Sequence, residues 1–153
     1  METYVSVIGT EAADETERER ARAVGRLLAE EGYRLVCGGR GGIMAAASAG
    51  HREAGGRPIG ILPEQHRRNA NEHLDTAIVT GLGDMRNAMV VHNGAAVVAI
   101  GGRYGTLSEI ALALNAGKTV IGLDTHDVDG VTAVDSPKSA VKAIQRAVEG
   151  IDP

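Results

Sequence analysis

The stretch whose residue types are best suited to chemistry is AIGGRYGTLSEIALAL, residues 99–114. An apolar segment passes through three glycines into an amphipathic helix that carries Glu109. Glycine lets a backbone approach an anion closely, and the free N–H groups at a helix start favour negative charge. One interpretation is a phosphate-binding loop with a carboxylate that does chemistry beside it. The alternative is that Thr106 and Glu109, spaced T-x-x-E, form a capping box that only starts the helix.

Four strand ends of the chain carry glycine. They are Gly9 with Thr10, Gly38 to Gly42, Gly81 to Gly83, and Gly101 to Gly105. In a parallel sheet, every strand followed by a helix ends at the same edge, and ligands bind in the crevice there. We expect these turns to form one anion-binding crevice, with helices that start near Gly42 and Thr106 directing N–H groups into it. The alternative is that the glycines serve turn geometry alone, since neither G-x-G-x-x-G nor G-x-x-x-x-G-K-[ST] occurs.

The elements that must position these residues alternate between strands and helices along the chain. Expected strands cover residues 3–8, 33–37, 58–62, 74–80, 95–100 and 119–123. Expected helices cover residues 14–31, 42–54, 84–93 and 136–149, with a further helix that begins near Thr106. Most strands are continuous apolar runs, which is typical of a parallel sheet covered by helices on both faces. The sequence predicts one domain over residues 1–153, an α/β fold with a single doubly wound, mainly parallel sheet, and a mobile polar loop at 63–73.

Composition and charge exclude several classes of function. A net charge of −4 and only three aromatic residues, all tyrosine, argue against a nucleic-acid surface. No apolar run approaches the roughly 18 residues of a membrane span and no signal peptide is visible, so we expect a cytoplasmic protein without a membrane partner. The single cysteine, Cys37, is expected to be buried. The histidines and the segment DTHDVDG (124–130) lack the spacing of zinc and calcium sites, so we expect no metal and no required cofactor.

Two blocks of the sequence resemble a known family. They are GYRLVCGGRGGIMAAASAGHREAGGRPIGILP (32–63) and the segment 85–109, which opens with MRN and closes with AIGGRYGTLSE. Both are similar to the Lonely Guy-type Rossmann superfamily, which includes the cytokinin riboside 5′-monophosphate phosphoribohydrolases. The branch that the chain resembles most contains the molybdenum-cofactor carrier proteins. The resemblance implies a Rossmann-like fold, a phosphorylated small-molecule ligand such as molybdenum cofactor or a nucleotide, and a homodimer or homotetramer.

The hydrolases of that superfamily carry two signatures, M-H-x-R-K and P-G-G-x-G-T-x-x-E. By this resemblance, Arg86 and Glu109 occupy the two catalytic positions. Arg86 would hold the 5′-phosphate or position the ribose, because its guanidinium is planar and permanently charged. Glu109 would stabilise the positive charge that develops on the ribose as the N-glycosidic bond breaks, or orient water. The chain departs from the signatures at Gly83, Asp84, Asn87, Gly101 and Arg103, which replace methionine, histidine, lysine, proline and glycine.

Two hypotheses follow, a carrier of a phosphate-bearing ligand and a nucleoside 5′-monophosphate phosphoribohydrolase that uses Arg86 and Glu109. The candidate ligand-binding residues are Gly9, Thr10, Gly38, Gly39, Arg40, Gly41, Gly42, Arg86, Asn87, Gly101, Gly102, Arg103, Tyr104, Gly105 and Thr106. Arg40 and Arg86 are surface charges in the alternative interpretation. Arg103 either adds a phosphate contact or obstructs a nucleotide. For the oligomer, the sequence offers only the apolar run 89–91 on a short helix.

Overall fold

The computed structural model describes residues 1–150 and contains a seven-stranded, all-parallel sheet. Its strands are β1 (Tyr4–Gly9), β2 (Arg34–Cys37), β3 (Ile59–Leu62), β4 (Thr76–Val79), β5 (Ala96–Ile100), β6 (Thr119–Leu123) and β7 (Val131–Val134). Its helices are α1 (Glu15–Glu30), α2 (Ile43–Glu53), α3 (Arg86–Asn93), α4 (Tyr104–Asn115) and α5 (Pro137–Glu149), and a 3-10 turn covers Gly83–Met85. The order across the sheet is β4-β3-β2-β1-β5-β6-β7, which confirms the predicted α/β class.

The two faces of the sheet carry different helices. Helix α1 packs between α2 and α5 on one face, and α3 packs against α4 on the other. Strands β1 and β5 are neighbours in register from Val5 with Ala96 to Gly9 with Ile100, yet they lead to α1 and α4 on opposite faces. The connections that follow β1 and β5 therefore diverge to opposite faces of the sheet at the carboxyl ends of these strands. This is the topological switch point, where open α/β sheets bind ligands.

Local sequence signals explain where α1 and α5 begin. Asp14 accepts from the backbone N–H of Glu17 at 2.8 Å, and the Glu17 carboxylate accepts from the backbone N–H of Asp14 at 3.1 Å, which completes a capping box. Ser136 caps α5 by accepting from the N–H of Ser139 at 3.1 Å, and Pro137 occupies the first turn. Both helix starts are as the sequence predicts.

The sequence missed β7 and misplaced the start of α4. Strand β7 is four residues long and lies at the sheet edge, after a connection that carries Gly130 in the left-handed region. Helix α4 begins at Tyr104, so Thr106 is its third residue and cannot be its N-cap. Within the described residues, no helix is long and apolar enough to cross a membrane.

Candidate functional site

A cleft of about 260 Å³ opens at the switch point between β1 and β5. Its walls come from the end of β1, the starts of α2 and α3, the 3-10 turn and the start of α4. Of the predicted site residues, it brings together Gly9, Thr10, Gly38, Arg86, Asn87, Arg103, Gly105, Thr106 and Glu109. Three of these residues are buried polar or charged ones, Arg86, Thr106 and Glu109, with 8%, 3% and 7% of their surface exposed. Buried polar groups normally have partners, so a buried group without one is available to a ligand.

The Arg86 guanidinium is held against the cleft wall without a carboxylate. Its Nη1 donates to Asn87 Oδ1 at 2.7 Å, and its buried Nε has no partner in the structure. Within residues 1–150, no acidic oxygen comes within 4.0 Å of this guanidinium. A Cβ at Gly38 would lie 2.5 Å from Nη1, so the absence of a side chain there makes room for the arginine. The surface-charge interpretation of Arg86 is therefore wrong.

Glu109 also lacks the partner that the T-x-x-E pattern predicts. Arg103 is the N-cap of α4 and makes no side-chain capping bond, and Glu109 lies in the second turn. The capping-box interpretation is therefore wrong, because the helix starts three residues earlier than that pattern requires. Burial raises the pKa of the Glu109 carboxyl to about 7, although the positive charge of Arg86 lowers it. A carboxyl group with this pKa exists in both protonation states near neutral pH.

The loop that leads into α4 presents a row of free donors. Across the described chain, none of the backbone N–H groups from Gly102 to Thr106 donates to a protein acceptor, and the first intrahelical bond runs from Leu107 to Arg103. Glycine is required at Gly102, where φ is +115° and a Cβ would overlap the Thr106 side chain. Five successive free N–H groups at a helix start form a cradle that fits an anion.

The outer side of the same loop is fixed by the rest of the protein. Thr125 Oγ1 donates to the carbonyl of Gly101 at 2.5 Å, and His126 Nε2 donates to the carbonyl of Arg103 at 2.9 Å. Gly101 has φ +55°, and the Glu17 carboxylate packs where its Cβ would be. The loop is therefore anchored through the N–H of Gly101, which donates to the carbonyl of Leu123, and through two carbonyl groups, while its N–H groups from Gly102 onward stay free.

The remaining predicted site residues lie outside the cleft lining. They are Gly39, Arg40, Gly41, Gly42, Gly101, Gly102 and Tyr104. Arg40 Nε lies 2.7 Å from Glu11 Oε1 and 3.4 Å from Glu64 Oε1, so it is neither free nor simply solvated. Asn71, from the loop that the sequence predicts to be mobile, donates through its side chain to the carbonyl of Arg40 at 2.9 Å.

Five cleft residues were not among the predicted site residues: the buried apolar Val7 and Ile8 of β1, and Glu11, Met44 and Asp84. Asp84 precedes Arg86 by two residues and was noted only as a departure from the hydrolase signature. Glu11 directly follows the predicted Thr10, and this adjacency is the signal that could have found it. Met44 enters from the first turn of α2, and no sequence pattern identifies it.

Two other sequence expectations concern metal ligands and Cys37. Within residues 1–150, no three His, Cys, Asp or Glu residues are arranged to hold a metal ion. Cys37 is fully buried, as expected, and burial raises the pKa of its thiol. A larger cavity of about 500 Å³ lies at the ends of β6 and β7, but none of the buried polar residues of the described chain lines it. The cleft at the switch point is the stronger candidate for a ligand.

Comparison with known proteins places the chain in a family. The chain is 40% identical over 138 residues to an uncharacterized protein of Archaeoglobus fulgidus, covering 90% of this chain and 91% of that one. The molybdenum cofactor binding protein of Rippkaea orientalis superposes with a TM-score of 0.92 at 37% identity, over 97% of this chain and 98% of that chain. The molybdenum cofactor carrier protein of Chlamydomonas reinhardtii superposes with a TM-score of 0.90 at 31% identity, over 97% and 99%.

A second group of relatives are enzymes. The cytokinin riboside 5′-monophosphate phosphoribohydrolase of Mycobacterium marinum is 34% identical over 95 residues, which cover 60% of this chain and 51% of that protein. The chain is thus a Lonely Guy-type Rossmann-like protein near the molybdenum-cofactor carrier branch. A family model matches residues 2–149, and the chain belongs to the SLOG cluster4 family.

Proposed function

We propose that this protein binds a phosphate-bearing small molecule in the cleft between β1 and β5 and acts as its carrier. The observation that carries the proposal is the row of free N–H groups from Gly102 to Thr106, of which Arg103, Gly105 and Thr106 line the cleft together with the buried Arg86 guanidinium. A phosphate has enough acceptor oxygens to pair with both, and arginine binds phosphate with good geometry. A bound phosphate would accept hydrogen bonds from these N–H groups and would pair with Arg86, which has no carboxylate partner in the described chain.

The proposed cargo is the molybdenum cofactor, with a nucleotide as the other candidate. Two proteins that share this fold over nearly their whole length are described as binding or carrying molybdenum cofactor. The phosphate of that cofactor fits the N–H cradle and Arg86, whereas the part of the ligand beyond the phosphate would face Asp84, Asn87 and Arg103. Departures from the hydrolase signature at Asn87, Gly101 and Arg103 favour binding over catalysis.

Direct binding tests this proposal. Purified protein is mixed with molybdenum cofactor released from a molybdoenzyme, separated from free ligand by gel filtration, and assayed for the fluorescence of the oxidised pterin. AMP and ribose 5-phosphate are titrated in parallel by calorimetry. Retention of the pterin or saturable binding of a monophosphate supports the proposal. Failure of all three ligands to bind contradicts it.

Phosphoribohydrolase activity is the second candidate function. The observation that favours it is that Arg86 and Glu109 line one cleft, as the hydrolase signatures imply, and that the pKa of Glu109 lies at about 7. Chromatography of AMP and related nucleoside monophosphates after incubation would detect free base. Base release that disappears in both Arg86→Ala and Glu109→Ala would establish the enzyme and contradict a carrier without catalysis.

We also propose a homodimer or homotetramer, although not for the reason that the sequence offers. Val90 and Val91 are fully buried in the core of the chain, so they are not accessible to a second subunit. Leu82, Met85 and Leu112 are exposed instead, with 47%, 74% and 38% of their surface accessible. Light scattering coupled to gel filtration measures the oligomeric state, and a monomer at micromolar concentration would contradict this part of the proposal.

A further inference from the structure

Glu109 presents a contradiction within the proposed site. Arg86 and the free N–H groups of Arg103, Gly105 and Thr106 favour an anion, but Glu109 would add a buried negative charge to the same cleft. Its carboxyl group makes no side-chain hydrogen bond in the described chain, and its oxygens are not among the fully occluded unpaired atoms, so they reach the cleft space. An ionised carboxylate in this position would repel a phosphate.

We propose that Glu109 binds the phosphate as a protonated carboxylic acid, so that a phosphate dianion enters the cleft together with one proton from solvent. This inference rests on the proposed function, because it assigns a role to Glu109 within the same binding site. The protonated carboxyl donates its O–H to a phosphate oxygen, and the proton comes from water or buffer. Glu109 is then a ligand-binding residue, a role that differs from its position in the hydrolase signature.

The charges that face Glu109 support this assignment. They come from Glu11 after β1, Asp84 in the 3-10 turn, Arg86 in α3 and Arg103 before α4. The buried Cys37 thiol of β2 is the other titratable group nearby. Glu11 is itself paired with Arg40, which also pairs with Glu64, so three arginines stand against four carboxylates when Glu109 is ionised, an excess of one negative charge. Protonation of Glu109 removes this excess and adds a donor, so both electrostatics and hydrogen bonding favour the protonated form beside a phosphate.

The proton is available at neutral pH. Burial in the cleft already raises the pKa of Glu109 to about 7, against the effect of Arg86. A bound dianion raises this pKa further, since a nearby like charge disfavours the ionised carboxylate. Binding and protonation are therefore linked, and the affinity falls as the pH rises above the pKa of the free protein.

Sulfate is the probe that isolates this effect, because it remains a dianion from pH 6 to pH 8 whereas a phosphate monoester titrates in that range. Its dissociation constant is measured by NMR from the amide shifts of residues 102–106, in the wild type, Glu109→Gln and Asp84→Asn. We expect binding to wild type to be roughly tenfold weaker at pH 8 than at pH 6. In Glu109→Gln, the side-chain amide donates at every pH, so the constant stays within about twofold.

Asp84→Asn is the matched control, because it neutralises an exposed carboxylate of the same cleft. This variant keeps the roughly tenfold change with pH that we expect of the wild type. A second measurement needs only the wild-type protein, so its result does not depend on whether the variants fold. Calorimetry in two buffers of different ionisation enthalpy should show uptake of about one proton for each sulfate bound at pH 8.

The outcomes separate this inference from the proposed function. If Glu109→Gln retains the pH dependence of the wild type, or the wild type takes up no proton, Glu109 does not carry the proton and the inference is overturned, while the anion site stands. If neither sulfate nor ribose 5-phosphate shifts the amides of residues 102–106 at any pH, the proposed function fails and this inference fails with it.

Discussion

Two glycine loops of this chain have nearly the same sequence but different surroundings. GGRGG (38–42) follows β2 and GGRYG (101–105) follows β5, and each carries an arginine at its third position. Arg40 of the first loop is paired with two carboxylates, at 2.7 Å and 3.4 Å. Within residues 1–150, Arg103 of the second loop has no such ion pair and lines the cleft.

The carbonyl groups of the two loops are bonded to different parts of the molecule. In the first loop, the carbonyl groups of Gly39 and Arg40 accept hydrogen bonds from Asn71, and Gly42 packs against the backbone of the β1–α1 connection. In the second loop, the carbonyl groups accept from Thr125 and His126. Within residues 1–150, both loops keep backbone N–H groups without a protein acceptor, at 40–42 in the first and at 102–106 in the second. The two loops are therefore distinguished by their charges, because Arg40 is paired with carboxylates whereas Arg103 lines the cleft beside the buried Arg86.

Breaking the second loop should have the largest effect. Gly102→Val forces a β-branched residue to φ +115° and overlaps Thr106, so we expect a loss of about 3 kcal/mol in the free energy of unfolding. Gly41→Ala is the control from the first loop, because a Cβ there has nothing within 4 Å. Urea denaturation followed by circular dichroism measures both variants. Equal losses would show that the two loops are under the same backbone constraint.

The acidic residues beside the two loops should respond differently to pH. In the folded protein the pKa of Glu109 is about 7, above its ordinary value of 4.5. The contribution of the protonated Glu109 to the free energy of unfolding is therefore complete below pH 4.5 and is lost as the pH rises through 7. Glu109→Gln should therefore raise the free energy of unfolding by about 3 kcal/mol at pH 8 and by less than about 1 kcal/mol at pH 5. Glu11→Gln, at a half-exposed carboxylate beside Arg40, is the control. If Glu109→Gln shows no extra stability at pH 8, the pKa of Glu109 is not raised by burial and this prediction is wrong.

The buried arginine is the next test, because it contributes to the cleft and not to the first loop. Arg86→Ala removes a charged donor that Asn87 and the space at Gly38 hold in place in the cleft. We therefore expect ligand affinity to fall by about 2 kcal/mol, roughly 30-fold. Titration of ribose 5-phosphate measures the change. Asn87→Ala removes the hydrogen bond at Nη1 and should cost less than Arg86→Ala. Unchanged affinity in Arg86→Ala would remove the arginine from the site.

The smallest effects should come from replacing each loop arginine separately with alanine. Arg103→Ala should weaken ribose 5-phosphate binding by about 1 kcal/mol and reduce its salt dependence, since Arg103 lies at the cleft without a carboxylate partner. Arg40→Ala should cost less affinity, because its charge is already neutralised by Glu11 and Glu64. Titrations at two ionic strengths compare them. A larger loss in Arg40→Ala would reverse the assignment of the two loops.

The sequence predicted the sheet and the edge at which the cleft lies, because apolar strands and glycine at strand ends are local signals. The different roles of the two loops could not be predicted from the sequence. The residues that neutralise Arg40 are Glu11 and Glu64, which lie 29 and 24 residues away in the chain. The capping-box pattern at Thr106 was a clear local signal that tertiary structure overrode. Strand β7 was missed because VTAV is only four residues long, lies at the sheet edge and has no fully buried residue, so its apolar run is too short to stand out.

The contact between Gly101 and Glu17 limits how this chain can change. Glu17 belongs to the capping box of α1, so one carboxylate serves both the start of that helix and the loop after β5. Proline, which the hydrolase signature has at this position, needs φ near −65°, whereas Gly101 is at +55° with Glu17 against it. A conversion to the hydrolase signature by substitution in the loop alone is therefore blocked, and any such path must alter the first turn of α1 at the same time.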